Sequence, residues 1–231
     1  CTGAPSVDDG EWHHWAIVQN VDGKNLRFYR DGKKLGETSR SYFGKRNSTD
    51  SGLNIGDIEG KLDDMRIYSA ALSTEEVKSI YNQGSFRTGT EKQETGGKIL
   101  DISFDEENST HVLDTSGNRN HGNPQNGASP KESAYCKEGE CYSFDGTNNQ
   151  EVEVYDSKSV LQFENKPFTV MTWAKVMNNS QPDSTGILGN SEWKDGGYML
   201  SINQKATHFS ADFRTNNNFR EYILTEDNAL P

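Results

Sequence analysis

The feature that most constrains the fold is a period of two in the apolar residues, repeated in short segments that polar turns separate. Residues 168–176, FTVMTWAKV, are the clearest case, because Phe168 and Val170 begin one apolar face while Met171 and Trp173 lie on the other. Residues 12–18, WHHWAIV, are also largely apolar on both faces. Successive side chains of a strand point to opposite faces, so both segments are predicted to be strands, and residues 12–18 are predicted to be an inner strand that is covered on both sides.

Glycine, asparagine and aspartate mark the turns between such segments. Asp31-Gly32 separates two apolar runs, and this pair is typical of a tight hairpin because its left-handed backbone suits Gly. Further strands are predicted at residues 53–56, 62–68, 99–104, 151–154, 197–202, 207–213 and 220–224. One short helix is predicted after Ser73, where Glu76 completes a capping box, and it ends at Gly84.

Composition favours a turn-rich, all-β binding module. Hydrophobic residues make up 31% of the 231-residue chain, with 22 Gly and only 6 Pro. The formal net charge of -11 argues against nucleic acid and anionic membranes as partners, since phosphates are bound by clustered Lys and Arg. No apolar run approaches the roughly 18 residues that a membrane span requires, so no membrane insertion is expected.

The segments also resemble a known family, in an unusual order. Residues 10–84 carry GEWHHWAIV, LRFYRDGKKL and GKLDDMRIYSAALSTEEVKSIYNQG, which resemble the closing strands and final helix of the laminin-G-like, concanavalin A-like sandwich. Residues 97–230 carry ILDISFDEENSTHVLDTSGNRNHG, YSFDGTNNQEVEVYDS and FTVMTWAKV, which resemble its opening strands. The resemblance implies an antiparallel jelly-roll β-sandwich with one short helix.

Two arrangements explain this order. In a tandem array, residues 1–84 are the back half of one module, residues 85–97 a polar linker, and residues 98–231 the front half of the next; otherwise the chain is one permuted module. An open half-sandwich would leave a bare apolar face and unpaired strand edges, which soluble proteins avoid. We therefore expect one composite sandwich, or two incomplete ones if the halves cannot meet.

The cysteines indicate an oxidising compartment. Cys136 and Cys141 flank KEGE, and Gly139 lets the chain fold back so that the two residues can form a disulfide. Two free thiols or a weak metal pair are the alternatives. A disulfide implies a secreted or cell-surface protein.

Carboxylates near turn glycines indicate a calcium site. Ca²⁺ takes six to eight oxygens from carboxylates, Asn side chains and backbone carbonyls. In the domains that this chain resembles, a structural calcium ties the amino-terminal loop to the acidic start of the last strand, which implies Asp63, Asp105, Asp114 and Asn118 as ligands. The alternative is that Asp114 and Asn118 only make side-chain turns with their own backbone.

A second carboxylate set raises the question of catalysis. Glu151 and Glu153 share one strand face and Asp156 follows, as in the E-x-D-x-x-E strand of retaining glycosidases in the same superfamily. No aromatic cluster accompanies these carboxylates, and Glu at a solvent-facing strand position is ordinary. We therefore predict a protein that is not an enzyme, with a glycoside hydrolase as an alternative.

Aromatic residues indicate a sugar contact. Trp193 lies in the polar loop NSEWKDG and is predicted to stack on a sugar ring, whereas Trp12, Trp15 and Trp173 are predicted to be core residues. His13 and His14 are adjacent, so they face opposite sides of their strand and do not share a metal.

The combined prediction is a calcium-stabilised extracellular recognition module that binds a glycan or a glycosylated protein. It is expected within a larger multidomain protein, where neighbouring modules of the same chain are further partners. A protein-interaction or spacer module in an adhesin is the alternative.

Overall fold

The computed structural model describes residues 9–20, 25–39, 52–56, 58–84, 97–105, 111–146, 149–156, 160–161, 166–177, 185–190, 198–202, 208–215 and 218–225. These residues form fifteen β-strands, one α-helix and a short 3₁₀ turn at Ser133–Tyr135. In chain order the elements are β1 (Trp12–Gln19), β2 (Asn25–Arg30), β3 (Lys33–Ser39), β4 (Gly52–Gly56), β5 (Glu59–Tyr68), α1 (Thr74–Gln83), β6 (Lys98–Ile102), β7 (Gly122–Gln125), β8 (Ser129–Lys131), β9 (Cys141–Asp145), β10 (Glu151–Tyr155), β11 (Phe168–Val176), β12 (Thr185–Asn190), β13 (Tyr198–Ile202), β14 (His208–Thr215) and β15 (Asn218–Thr225).

The strands form two antiparallel sheets. The first has the order β3-β2-β1-β11-β5-β9-β8, with β6 also pairing with β5, and the second has the order β15-β14-β13-β12-β4-β10-β7. Apolar side chains from both sheets form one core, which includes Ile17, Leu62, Val152 and Leu188. The predicted antiparallel jelly-roll sandwich with a single helix is confirmed.

Strands from the two ends of the chain alternate within both sheets. In the first sheet β1 pairs with β11 along its whole length, from Trp12 opposite Lys175 to Gln19 opposite Phe168. In the second sheet β4 lies between β10 and β12. The division into two half-modules joined by residues 85–97 stays a prediction, and residues 85–96 lie outside the described part of the chain.

The helix covers part of the outer face of the first sheet. Trp15 and Ile17 of β1 point into the sandwich core. Ala16 and Val18 point outwards and pack with Val77 of α1 in a second apolar cluster. This explains why β1 is apolar on both faces, as its sequence predicts.

The predicted helix cap and the predicted hairpin turn are both present. Ser73 Oγ accepts a hydrogen bond from the backbone N–H of Glu76 at 3.1 Å, and Glu76 Oε2 accepts one from the N–H of Ser73 at 2.7 Å, which completes the capping box. Asp31 and Gly32 have φ values of 52° and 70°, the left-handed pair that a tight hairpin requires.

Candidate functional site

Two of the predicted calcium ligands meet at one disulfide-closed loop. Cys136 and Cys141 form the predicted disulfide, with their Cα atoms 5.4 Å apart. Asp63 Oδ2 accepts hydrogen bonds from the backbone N–H groups of Lys137 and Glu138, each at 3.2 Å. Asp105 Oδ1 accepts one from the N–H of Glu140. Two carboxylates that are 42 residues apart in the sequence therefore fix the same loop, residues 136–141.

Asp63 lies beside a β-bulge that was not predicted from the sequence. The pairing of β5 with β11 shifts register between Asp63, opposite Trp173, and Arg66, opposite Met171. Asp64 adopts a φ of 48° within this bulge, a conformation that Asp tolerates better than most residues.

The bulge also builds a buried ion network. The Arg66 guanidinium lies 3.3 Å from Asp64 Oδ1 and 3.2 Å from Asp101 Oδ1. Burial opposes the charged form of Arg66, but Asp64, Tyr68 and Asp101 outweigh this and raise its pKa.

Asp114 and Asn118 belong to a different network. The buried Asp114 carboxylate accepts four hydrogen bonds: from the N–H groups of Asp101, Ser116 and Asn120, and from the Ser116 hydroxyl. Asn118 Nδ2 donates to the carbonyl of Ile99 at 3.1 Å. An ionised carboxylate offers about four lone-pair positions. The arrangement favours the side-chain-turn interpretation of Asp114, because those positions are already used by the loop and by β6.

The four predicted calcium ligands thus form two pairs. Over the part of the chain that the structure describes, no group of three or more His, Cys, Asp or Glu residues is arranged to hold a metal ion. Asp63 and Asp105 share one loop, where both accept hydrogen bonds from backbone amides. Calcium binding stays a prediction.

The outer face of the second sheet carries polar and acidic side chains. On β10, Val152 and Val154 point into the core, so Glu151, Glu153 and Tyr155 point outwards. Glu153 lies opposite Asn54 of β4 and opposite Asn123 of β7. Tyr155 is 65% exposed and lies opposite Gly52.

Asp156, the third carboxylate of the catalytic alternative, caps a turn instead of facing outwards with Glu151 and Glu153. Asp156 is buried, and its oxygens accept hydrogen bonds from the N–H groups of Val160 at 2.8 Å and Leu161 at 2.7 Å. Its position is explained by this turn, whereas Glu151 and Glu153 face outwards as the strand period predicts.

The two histidines face opposite sides of β1, as predicted. His13 Nδ1 lies 2.7 Å from Asp31 Oδ2, and His13 Nε2 lies 3.1 Å from Asp9 Oδ2. Burial opposes protonation of His13, but these two carboxylates raise its pKa. His14 is buried between Tyr81 and Trp173, and burial lowers its pKa to about 4.

The aromatic predictions have mixed outcomes. Trp15 and Trp173 are buried, as predicted, and Trp12 is half-buried at the start of β1. Trp193 lies outside the described residues, so its sugar contact stays a prediction. The exposed Tyr155 was not identified from sequence, although its alternation with Val152 and Val154 was the available signal.

A comparison with known families agrees with this architecture. Residues 1–78 match the laminin-G-type family model described as the concanavalin A-like lectin/glucanases superfamily. No curated protein and no solved structure matches the chain significantly. The match covers 78 of the 231 residues, and together with the fold it supports a laminin-G-like domain of a lectin-like or binding-module class. In the described residues, no helix is long and apolar enough to cross a membrane.

Proposed function

We propose that this domain is a non-catalytic, extracellular recognition module that binds carbohydrate, either free or on a glycoprotein. The observation that carries the proposal is the outward face of β10 and its neighbours. Protein sites for sugars combine an aromatic ring with a few well-placed polar groups. Tyr155 supplies an exposed ring, and Gly52 opposite it leaves the ring accessible from that side.

The polar groups beside Tyr155 suit sugar hydroxyls. Glu153 accepts hydrogen bonds, and its cross-strand neighbour Asn123 can both donate and accept, whereas the side-chain oxygen of its other neighbour, Asn54, is buried. A row of acceptors and amides beside an open ring matches the alternating donors and acceptors of a sugar.

Two features support the rest of the proposal. The burial of Asp156 among backbone amides removes the third carboxylate from the face of Glu151 and Glu153, which favours binding over hydrolysis. The disulfide supports an oxidising compartment. Calcium held by Asp63 and Asp105 would stabilise loop 136–141, and a higher melting temperature in Ca²⁺ than in chelator is expected.

The test is binding of the purified chain to an array of neutral glycans, followed by titration of the best ligand. Tyr155→Ala is expected to weaken binding at least tenfold, and Trp193→Ala tests the second predicted ring in the same titration. Met177→Ala is the control, because Met177 is an exposed apolar side chain that follows β11 of the other sheet. Absence of binding to every neutral glycan would contradict the proposal and favour a protein-interaction module.

Catalysis has its own test. The glutamate pair on β10 makes a glycoside hydrolase the second candidate, so a panel of β-glucans is incubated with the chain and with Glu151→Gln. We expect no hydrolysis by either protein. Hydrolysis that Glu151→Gln abolishes would overturn the non-catalytic assignment.

A further inference from the structure

The outer face of the first sheet, beyond the edge of α1, carries a cluster of lysines. Leu62, Ala174 and Tyr142 of three adjacent strands point into the core. Their chain neighbours Lys61, Lys175 and Ser143 therefore point outwards. We call the outward set the basic surface; it comprises Lys61, Lys131, Lys137, Lys175, Tyr135, Ser129 and Ser143.

Strand register places two of these lysines side by side. Lys175 of β11 lies directly opposite Lys61 of β5. Lys61 lies opposite Ser143 of β9, which in turn lies opposite Ser129 of β8, the strand that also carries Lys131. Adjacent strands are about 4.8 Å apart, so β5 and β8, which carry these lysines, are separated by roughly 10 Å. Ser143 and Ser129 lie on the surface between the lysines.

The disulfide-closed loop and the turn before it complete this surface. The Lys61 Nζ atom lies 5.5 Å from the centre of the Tyr135 ring, which is 61% exposed. The Lys137 Nζ atom lies 4.3 Å from the ring centre of Trp173. Asp63 fixes the backbone of Lys137, so the aromatic and cationic groups are held in place before any ligand arrives.

Four lysines share this cluster, and Glu132, Glu138 and Glu140 are close to Lys131 and Lys137 in the sequence. Within the described residues, Lys61, Lys131, Lys137 and Lys175 make no salt bridge, although the chain has a net charge of -11. Burial, Lys175 and Lys131 all lower the pKa of Lys61. Like charges directly opposite each other destabilise a sheet. A bound anion would reduce this repulsion and stabilise the arrangement.

We propose that the basic surface is a binding site for an anionic glycan, one whose sugars carry carboxylate or sulfate groups. The lysines neutralise the acidic groups, Tyr135 stacks on a sugar ring, and Ser129 and Ser143 accept and donate hydrogen bonds to hydroxyls. The acidic remainder of the chain would repel a long, dense polyanion such as nucleic acid, so a sugar polymer with more widely spaced charge is the better fit. This site lies on the opposite sheet from Glu153 and does not depend on the neutral-glycan site.

The experiment measures binding of the full chain to oligogalacturonate and to a dextran sulfate of low substitution, whose charges are widely spaced, with unmodified dextran as the uncharged probe. Lys61→Gln/Lys175→Gln is expected to weaken binding of both anionic probes at least tenfold, and Tyr135→Ala at least threefold. Binding is expected to weaken as salt concentration rises. Lys33→Gln/Lys78→Gln is the matched control, since it removes the same charge from two exposed lysines outside the basic surface.

Folding is checked by thermal melting, and removal of one like-charge contact is expected to leave the melting temperature unchanged or raised. Lys131→Gln/Lys137→Gln provides a second, independent loss of charge. The proposal is overturned if both double variants bind the anionic probes as the matched control does, or if single-stranded DNA binds more tightly than either probe through the same lysines. Tyr155→Ala should leave anionic binding intact, so failure here and failure of the neutral site are distinguishable.

Discussion

The two outer faces of the sandwich differ in what their side chains do. On the first sheet, the polar residues Arg66, His14 and Asp63 are buried beneath other elements and hold the helix side, the bulge and the disulfide loop together. On the second sheet, Glu153 and Tyr155 project from an alternating strand whose core face alone is buried. The difference teaches that a polar residue buried beneath another element stabilises the fold, whereas one that projects from an outer face is available to a ligand.

Removal of Arg66 is expected to have the largest effect. Arg66→Met removes the guanidinium from Asp64, which is buried in the β5 bulge, and from Asp101, which keeps its ion pair with Lys98. Breaking one side of a buried ion network costs about 3–5 kcal/mol. Urea denaturation should therefore show a free energy of unfolding lower by about that amount.

The matched substitution on the other face is Glu153→Gln. It changes one charge on an outward strand position, so the free energy of unfolding should move by less than about 0.5 kcal/mol. If Arg66→Met and Glu153→Gln lowered the free energy of unfolding equally, the stated difference between the two outer faces would be wrong.

Low pH is expected to destabilise the fold through protonation of His14, which lies on the outer face of the first sheet. Its folded-state pKa of about 4 lies below the ordinary 6.5 because the ring is buried, so the unfolded state binds more protons between these values. Stability is complete above pH 6.5 and is lost as pH falls towards 4, by about 3 kcal/mol for a shift of this size. Denaturation curves at pH 7, 5.5 and 4 measure this loss.

A substitution at His14 distinguishes its effect on stability from the effects of the other titrating groups. His14→Phe removes the titrating group and should flatten the loss between pH 6.5 and 4. His13 has a raised pKa and works in the opposite direction, since its contribution is present below pH 6.5 and disappears as pH rises. Asp9 and Asp31 have lowered pKa values and lose their contributions only below their ordinary value of 3.8. A steep loss that persists in His14→Phe would contradict the assignment.

Residues that obey local rules could be predicted from sequence. The Asp31-Gly32 hairpin, the Ser73 capping box and the two-sided burial of β1 each depend on a few adjacent residues. Strands β7 and β8 were missed, because Pro124 and Pro130 weaken the strand pattern and are tolerated near sheet edges.

The candidate sites depend on distant pairing, which local rules do not supply. The sequence pointed to Asp63 and Asp105 but not to the loop whose amides they share. It also could not tell that Asp114 would be saturated by hydrogen bonds, since one of its donors, the Asp101 amide, comes from another strand. The basic surface could not be predicted from the sequence for the same reason. Lys61 and Lys175 become neighbours only through the register of β5 with β11.

Removal of the disulfide is expected to affect stability less than Arg66→Met or protonation of His14, and it tests whether the first face also acts as a ligand site. Cys136 and Cys141 are only 5 residues apart, so replacing both with Ser restores little freedom to the unfolded chain, about 2 kcal/mol on the loop-entropy estimate. In a domain of this size that corresponds to a melting temperature lower by about 4–8 °C. Tyr135 and Lys137 lie beside or within this loop, so the variant should also bind oligogalacturonate more weakly while its affinity for a neutral glycan is unchanged. A loss of both affinities at a temperature where the variant is folded would mean that the two faces are not independent, because a change confined to the first sheet would then have reached Glu153 and Tyr155 on the second.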